Sequence, residues 1–197
     1  MNKQPTCKRT TNKPNITHEG VEYSINNSGN RNLTLFTSQL HKLISQLTAT
    51  NQKWGRVLMI RFDLHLPYET PDNKIMTTFR NKLFKKLKRR YSLDEIGFAW
   101  AREQHNDSKG LHYHWVILLN ANVVRHPANI VPLIHQTFFH PVGGFTAHFE
   151  PQHYKLIDSI DSLHDAVFWA SYLAKTRGKG YRAKMTHDFA TSRIKLN

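Results

Sequence analysis

The sequence predicts an α+β domain in which helices cover an antiparallel sheet. Three observations carry that expectation. Leu33–Leu47 and Met76–Tyr91 repeat apolar residues at helical spacing. Gly97–Gln104 and Leu111–Asn120 read as two strands joined by a short turn. The order of elements is helix, strand, helix, hairpin, helix, strand, helix, which places an antiparallel pair in the middle of helices that must each bury one stripe.

The elements follow in chain order. Residues 1–31 are polar, rich in Asn, Thr and Lys, and read as a loose arm with a short ordered piece around Val21–Ile25. Residues 32–176 form the folded domain. Leu33, Phe36, Leu40, Leu43, Ile44 and Leu47 make the buried stripe of the first helix. Arg56–Leu66 is a strand that stops at Pro67. In the second helix Met76, Phe79, Leu83 and Leu87 share one side, while Lys82, Lys85, Lys88 and Arg89 form a basic side, a solvated face that is also a candidate for DNA contact. The hairpin turns through His105-Asn106-Asp107-Ser108-Lys109-Gly110, dense in turn formers. A third helix falls between Asn129 and Phe139, a short strand near Phe145–Phe149 follows Gly143-Gly144, and a last helix runs from about Ser162 to Thr176. Residues 177–197 are a basic tail that packs on the domain or extends it.

Composition narrows the function. The chain has 197 residues, enough for one core, and 28 Lys plus Arg against 14 Asp plus Glu give a formal charge of +14. Such a surplus favours a polyanion, through neutralised phosphates and released counterions. No stretch is apolar enough to span a bilayer, and the N-terminus lacks the apolar run of a signal peptide. The only cysteine, Cys7, cannot form an internal disulfide, which fits a cytoplasmic location.

Chemistry concentrates in two places. In His112-Tyr113-His114 the imidazoles project from one strand face, and two imidazoles so spaced can bind one divalent ion. On the preceding strand Gly97, Ala99, Ala101 and Glu103 share a face, so bulk is kept away and a carboxylate stands at the end; with the right register Glu103 completes a two-His, one-carboxylate site. Mixed nitrogen and oxygen donors suit Mg²⁺ or Mn²⁺ acting on phosphate. Asp63 with His65, and His148 with Glu150, are other sources of a third ligand. The second place is Tyr172-Leu173-Ala174-Lys175, where tyrosine and lysine share a side flanked by Phe168 and Trp169, opposite the stripe Leu163, Val167, Ala170 and Ala174. A phenol with a pKa of about 10 is a poor nucleophile at neutral pH. It needs a metal to polarise the phosphate and a cation such as Lys175 to stabilise the developing charge.

The hairpin Arg102-Glu103-Gln104-His105…His112-Tyr113-His114, followed by Tyr172-x-x-Lys175, resembles the HUH endonucleases of the rolling-circle replication initiator type. The Tyr-Leu-Ala-Lys segment and the ending Phe189-Ala190-Thr191-Ser192-Arg193 are most similar to filamentous-phage (inovirus) replication proteins and related prophage domains. The resemblance covers roughly Val57 to Arg193, with Arg61-Phe62-Asp63-Leu64-His65 in the place of the first strand motif. It implies a ferredoxin-like or RRM-like sheet, a metal held by His112, His114 and the more variable Glu103, Tyr172 as nucleophile and Lys175 as its basic companion. It further implies nicking of single-stranded or hairpin DNA at a replication origin, through a 5′-phosphotyrosine, with a host helicase as a candidate partner because the chain carries no P-loop.

Arg61, Arg177, Lys179, Arg182 and Arg193 are the candidate DNA contacts, with Lys184 and Lys195 adding to the phosphate-binding character of the tail; Tyr181 is a substrate-contacting or structural residue. Two other functions fit the same residues. A single-tyrosine transposase uses the same chemistry, and a catalytically inactive prophage regulator would use the DNA-binding surface alone.

Overall fold

The computed structural model describes residues 9–27, 33–104, 110–139, 147–180 and 186–196. Cys7, the turn at His105–Lys109, the Gly143-Gly144 turn, Tyr181, Arg182 and Lys184 lie outside the described residues. In chain order the elements are β1 (Thr10–Thr11), β2 (Asn15–His18), β3 (Val21–Ser24), β4 (Leu35–Phe36), α1 (Thr37–Trp54), β5 (Val57–Leu66), α2 (Lys74–Tyr91), β6 (Gly97–Gln104) and β7 (Leu111–Asn120). A 3₁₀ turn (Pro127–Asn129) then leads into α3 (Val131–Phe139), β8 (Ala147–His148), β9 (Tyr154–Ile157), α4 (Ile160–Ala170), a second 3₁₀ turn (Ser171–Ala174) and β10 (Phe189–Thr191).

The α+β expectation holds: four α-helices among the described residues pack on a six-stranded antiparallel sheet, ordered β10-β6-β7-β5-β8 with β9 also on β5. The register of the three long strands decides everything that follows. Asp63 on β5 lies opposite His114 on β7, which in turn lies opposite Ala101 on β6. One step along, His65, His112 and Glu103 form the next row.

Strand alternation gives the sheet two unlike faces. One is apolar except at the end of β6, where Arg102 donates to Gln104. Leu58, Ile60, Phe62, Leu64, Phe98, Trp100, Tyr113, Trp115 and Ile117 bury there against Met76, Phe79, Leu83 and Leu87 of α2 and Ile134 and Phe138 of α3. The other face changes character halfway along. Its first half, Val57, Met59, Ala99, Val116 and Leu118, is covered by Leu43, Ile44 and Leu47 of α1 and by Ala166, Val167 and Ala170 of α4. Its second half carries Arg61, Asp63, His65, Glu103, His112 and His114. The predicted basic side of α2 is exposed as expected, but α2 packs on the apolar face. The sheet therefore stands between those lysines and the ionisable half-face.

Close approach of Leu118 on β7, and then of α1, explains the glycine that opens β6. A Cβ on Gly97 would stand 2.9 Å from Leu118 Cβ and 3.2 Å from Thr50 Cγ2 of α1. Gly97→Ala is expected to cost about 1–3 kcal/mol by overpacking, read as a lowered denaturant midpoint with unchanged slope.

Three sequence expectations need correction, the first being the start of the first helix: α1 opens at Thr37, so Leu33 and Phe36 of its predicted stripe precede it, Phe36 in β4. The N-terminal arm is not loose over its described part: β2 and β3 form a hairpin whose Glu19 and Gly20 both have positive φ (50° and 81°), the geometry a two-residue hairpin turn requires. Tyr23 and Ile25 are buried, and β1 pairs with β4. Polar residues hid an alternation only four residues long. Strands β9 and β10 were also not anticipated, being short segments that gain their partners from β5 and β6 far away in sequence. The tail thus extends the sheet. Among the described residues no helix is long and apolar enough to cross a membrane.

The hairpin docks on α1 through an imidazole pair. His18 Nδ1 lies 2.9 Å from His41 Nδ1, and His18 Nε2 lies 3.1 Å from Ser45 Oγ. Burial, and the neighbouring His41, lower the pKa of His18 below its ordinary value despite the opposing charge of Glu19. The detached hairpin then binds a proton more readily than the docked one, so docking is complete above pH about 6.5 and weakens as pH falls below it. The protection factors of the hairpin amides, each taken against its intrinsic exchange rate, should fall between pH 7 and pH 5 relative to those of α1, and the His18→Gln variant should lose that extra fall.

Candidate active site

His114 stands on β7 between two carboxylates from its neighbouring strands. Its Nδ1 lies 2.7 Å from Asp63 Oδ1 and its Nε2 lies 3.2 Å from Glu103 Oε2. Burial alone would lower the pKa of His114. The hydrogen bonds and charges of Asp63 and Glu103 overcome it and hold the pKa above the ordinary value. Asp63 shows the reverse balance: burial pushes its carboxyl up, but the bond with His114 and the charges of His114, Arg61 and His65 bring it below the usual carboxylate range.

In the next row His65 and His112 stack, with ring centroids 4.2 Å apart and planes 16° from parallel. Burial, first, and the proximity of other imidazoles lower both pKa values, so these rings are neutral at pH 7 and keep lone pairs for a ligand. His148 is a third ring in that cluster, 6.2 Å from His65, and its Nε2 lies 3.5 Å from Glu150 Oε1.

Among the described residues no three His, Cys, Asp or Glu side chains are placed together to hold one metal ion. The structure sets up a pair instead. The 3.2 Å between His114 Nε2 and Glu103 Oε2 is an ion-pair contact, and once the Nε2 proton has left, two donors this close can also serve as neighbouring ligands of one octahedral ion, about 3 Å apart. Asp63 on the far nitrogen would fix the tautomer and aim Nε2, as carboxylates do behind metal-bound histidines. His112 lies directly opposite Glu103 in the register but stacks on His65. Glu103 and His114, with His112 next to them, are the donors present for a divalent ion, which would have to displace the proton that His114 shares with Glu103. Asp63 falls behind His114 and not among the ligands, a distinction that only the β5–β7 register makes.

Tyr172 reaches this site from the end of α4. The predicted continuous helix to Thr176 tightens after Ala170 into the 3₁₀ turn. Ser171 Oγ donates to Phe168 O and accepts from Asn26 N–H, which anchors the turn to the end of the N-terminal hairpin. The Tyr172 ring then stands edge-on to His114, centroids 5.1 Å apart. Lys175 Nζ is 3.7 Å and Arg61 Cζ 4.5 Å from the centre of the phenol ring. Burial, then the charges of Glu103 and Asp63, push the phenol pKa above its ordinary value, against the pull of Arg61 and the exposed Arg177. Of the aromatics that flank this side of the helix, Phe168 is 45% exposed.

The other candidates separate. Arg61 and Arg177 lie by the phenol. Lys179 does not face solvent: its side chain is fully buried, and Nζ donates to Leu173 O (2.8 Å) and to Lys175 O, 3.8 Å from Glu103 Oε1. Its role is to brace the Tyr172 turn against the carboxylate, where a tail reading made it a phosphate contact. Arg193 is exposed in a groove shared with Lys42 and Lys195, where the chain has run past β10 to the Gly97 end of β6. That is six residues, roughly 20 Å of strand, from Glu103.

Neither a curated protein nor a solved structure matches the chain. One family model does, that of the YagK/YfjJ C-terminal domain, over residues 17–142. The match takes in β5, β6 and β7 with Asp63, Glu103, His112 and His114, and ends before Tyr172. Because it spans well over half of the sequence, the chain belongs to the YagK/YfjJ C-terminal domain family.

Proposed function

We propose that this protein is a metal-dependent endonuclease that nicks single-stranded or hairpin DNA at a replication origin, as an initiator of rolling-circle replication with the ferredoxin-like HUH fold. One observation carries the reading: a tyrosine on one element and a carboxylate–histidine–carboxylate set on the sheet, more than fifty residues apart in sequence, meet at ring-contact distance under two cations. Nothing in a structural role requires that convergence of a phenol with opposed acids and bases.

The reaction is a transesterification. The Tyr172 oxygen bonds to the scissile phosphorus as its proton leaves to solvent, the bond to the 3′ oxygen breaks, and that oxygen takes up a proton to become a free 3′-OH. Glu103 and His114, with His112 beside them, are the residues that would hold Mg²⁺ or Mn²⁺, which when bound would supply positive charge to polarise a phosphate oxygen and to offset the carboxylates that raise the phenol pKa. Lys175 and Arg61 stabilise the phenolate from its ring and cover the charge that develops on the phosphoryl oxygens. Asp63 keeps His114 in one tautomer and one orientation. The ester energy is retained in the phosphotyrosine, so a 3′-OH can reverse the step and rejoin strands.

The test is incubation of the full chain with an end-labelled single-stranded hairpin and Mn²⁺. The expected products are a protein–DNA adduct that survives denaturation and a strand with an extendable 3′-OH. Binding of the hairpin with every strand left intact in Mn²⁺ and in Mg²⁺ would sink the nicking reaction and leave a DNA-binding regulator. That second reading has one observation in its favour, the absence of a preset three-ligand group among the described residues.

A further inference from the structure

The outer side of α4 presents aromatic surface that the fold does not use. Phe168 is 45% exposed and Tyr154, on β9, is 39% exposed. Between them lies an open groove of about 620 Å³, lined also by Trp169, Lys155, Leu156 and Asp165. That volume is in the range of clefts that hold small flat ligands, about 300–1,000 Å³. Trp169 connects the groove to the site. Arg61 Cζ stands 5.6 Å from the Trp169 ring and 4.5 Å from the Tyr172 ring, and Lys155 Nζ is 5.9 Å from Trp169. Rings and cations thus alternate from the groove to the nucleophile in the order Lys155, Trp169, Arg61, Tyr172, Lys175.

We infer that this groove binds unpaired nucleobases of the DNA strand next to the scissile phosphate, stacking them on Phe168, Trp169 and Tyr154. The inference rests on the reading that the chain acts on single-stranded DNA. Three features select this occupant. Aromatic faces of this kind are stacking platforms for bases of any sequence. Asp165, 3.8 Å from Lys155, stands at the groove and repels phosphate while it can accept hydrogen bonds from exocyclic amino groups. Arg61, between Trp169 and Tyr172, then takes the phosphate that links a stacked nucleoside to the reacting one. A chain of formal charge +14 supplies the long-range attraction for that strand.

The experiment measures binding by fluorescence anisotropy of a short labelled oligothymidylate, and of the same sugar–phosphate backbone carrying abasic positions. It uses the full chain with a chelator present, so that no cleavage enters. Phe168→Ala and Tyr154→Ala, both at exposed positions, are each expected to weaken oligothymidylate binding about tenfold. The salt dependence should keep its slope, because no phosphate contact is lost. Affinity for the abasic strand should be low and the same in all three proteins. Unchanged oligothymidylate affinity in both variants, or equal weakening toward the abasic strand, overturns the groove. Adduct formation with Mn²⁺ is scored separately on the wild type. An adduct together with indifferent variants removes the groove and keeps the nickase; weakened variants without any adduct keep the groove and remove the nickase.

Discussion

Tyr172→Phe is expected to eliminate the covalent protein–DNA adduct, a loss of about a thousandfold or more in strand cleavage, with hairpin affinity within about twofold of the wild type. The small effect on binding follows from the contacts. Phenylalanine keeps the ring that Lys175, Arg61 and His114 approach and removes only the oxygen. The variant therefore isolates the nucleophile from the packing of the turn. Gel analysis after denaturation reads the adduct, and anisotropy reads the binding. Persistence of the adduct in Tyr172→Phe would move the nucleophile to another residue and dissolve the significance of the Tyr172–His114 contact.

Lys179→Met should have the largest effect on stability of any substitution near the site, about 3–5 kcal/mol for removing one partner of a buried ionic contact. The side chain is completely enclosed and its ammonium satisfies the carbonyls of Leu173 and Lys175 while facing Glu103. Methionine fills similar volume, so the loss reports hydrogen bonding and charge, not a cavity. Thermal unfolding should fall by roughly 10 °C, at about 2–4 °C per kcal/mol for a chain of this size. A lysine on DNA phosphate would behave in the opposite way, leaving stability alone and reducing the salt slope of binding by about one. Measuring both quantities on one variant decides between brace and contact.

These two residues illustrate what was readable in advance. Tyr172 could be singled out because a phenol with a lysine three residues on, flanked by aromatics, is a local pattern. Lys179 was misread because a lysine between glycines in a basic tail has the local signature of a solvent-exposed charge. Its burial depends on the 3₁₀ turn and on β6 arriving beside it. Asp63 was visible only as one of two alternative carboxylate sources, since its place behind His114 follows from a register that the two strands do not encode separately. Arg61 carried a weak signal, a polar alternation Arg61, Asp63, His65 within an otherwise apolar strand, which marks a face that is not core.

By itself the sequence determined the two-faced strands, the stripes of α1 and α2, the α+β class and the inventory of imidazoles, carboxylates and the phenol. Those follow from backbone periods of 2.0 and 3.6 residues, which act over a few positions. The tertiary structure alone decided that two carboxylates flank one imidazole, that His112 stacks on His65, and that the last helix tightens to bring Tyr172 to His114. Each of these depends on partners tens of residues apart, and no local propensity fixes which of them meet. Burial and pairing energies settle that choice only when the whole sheet closes.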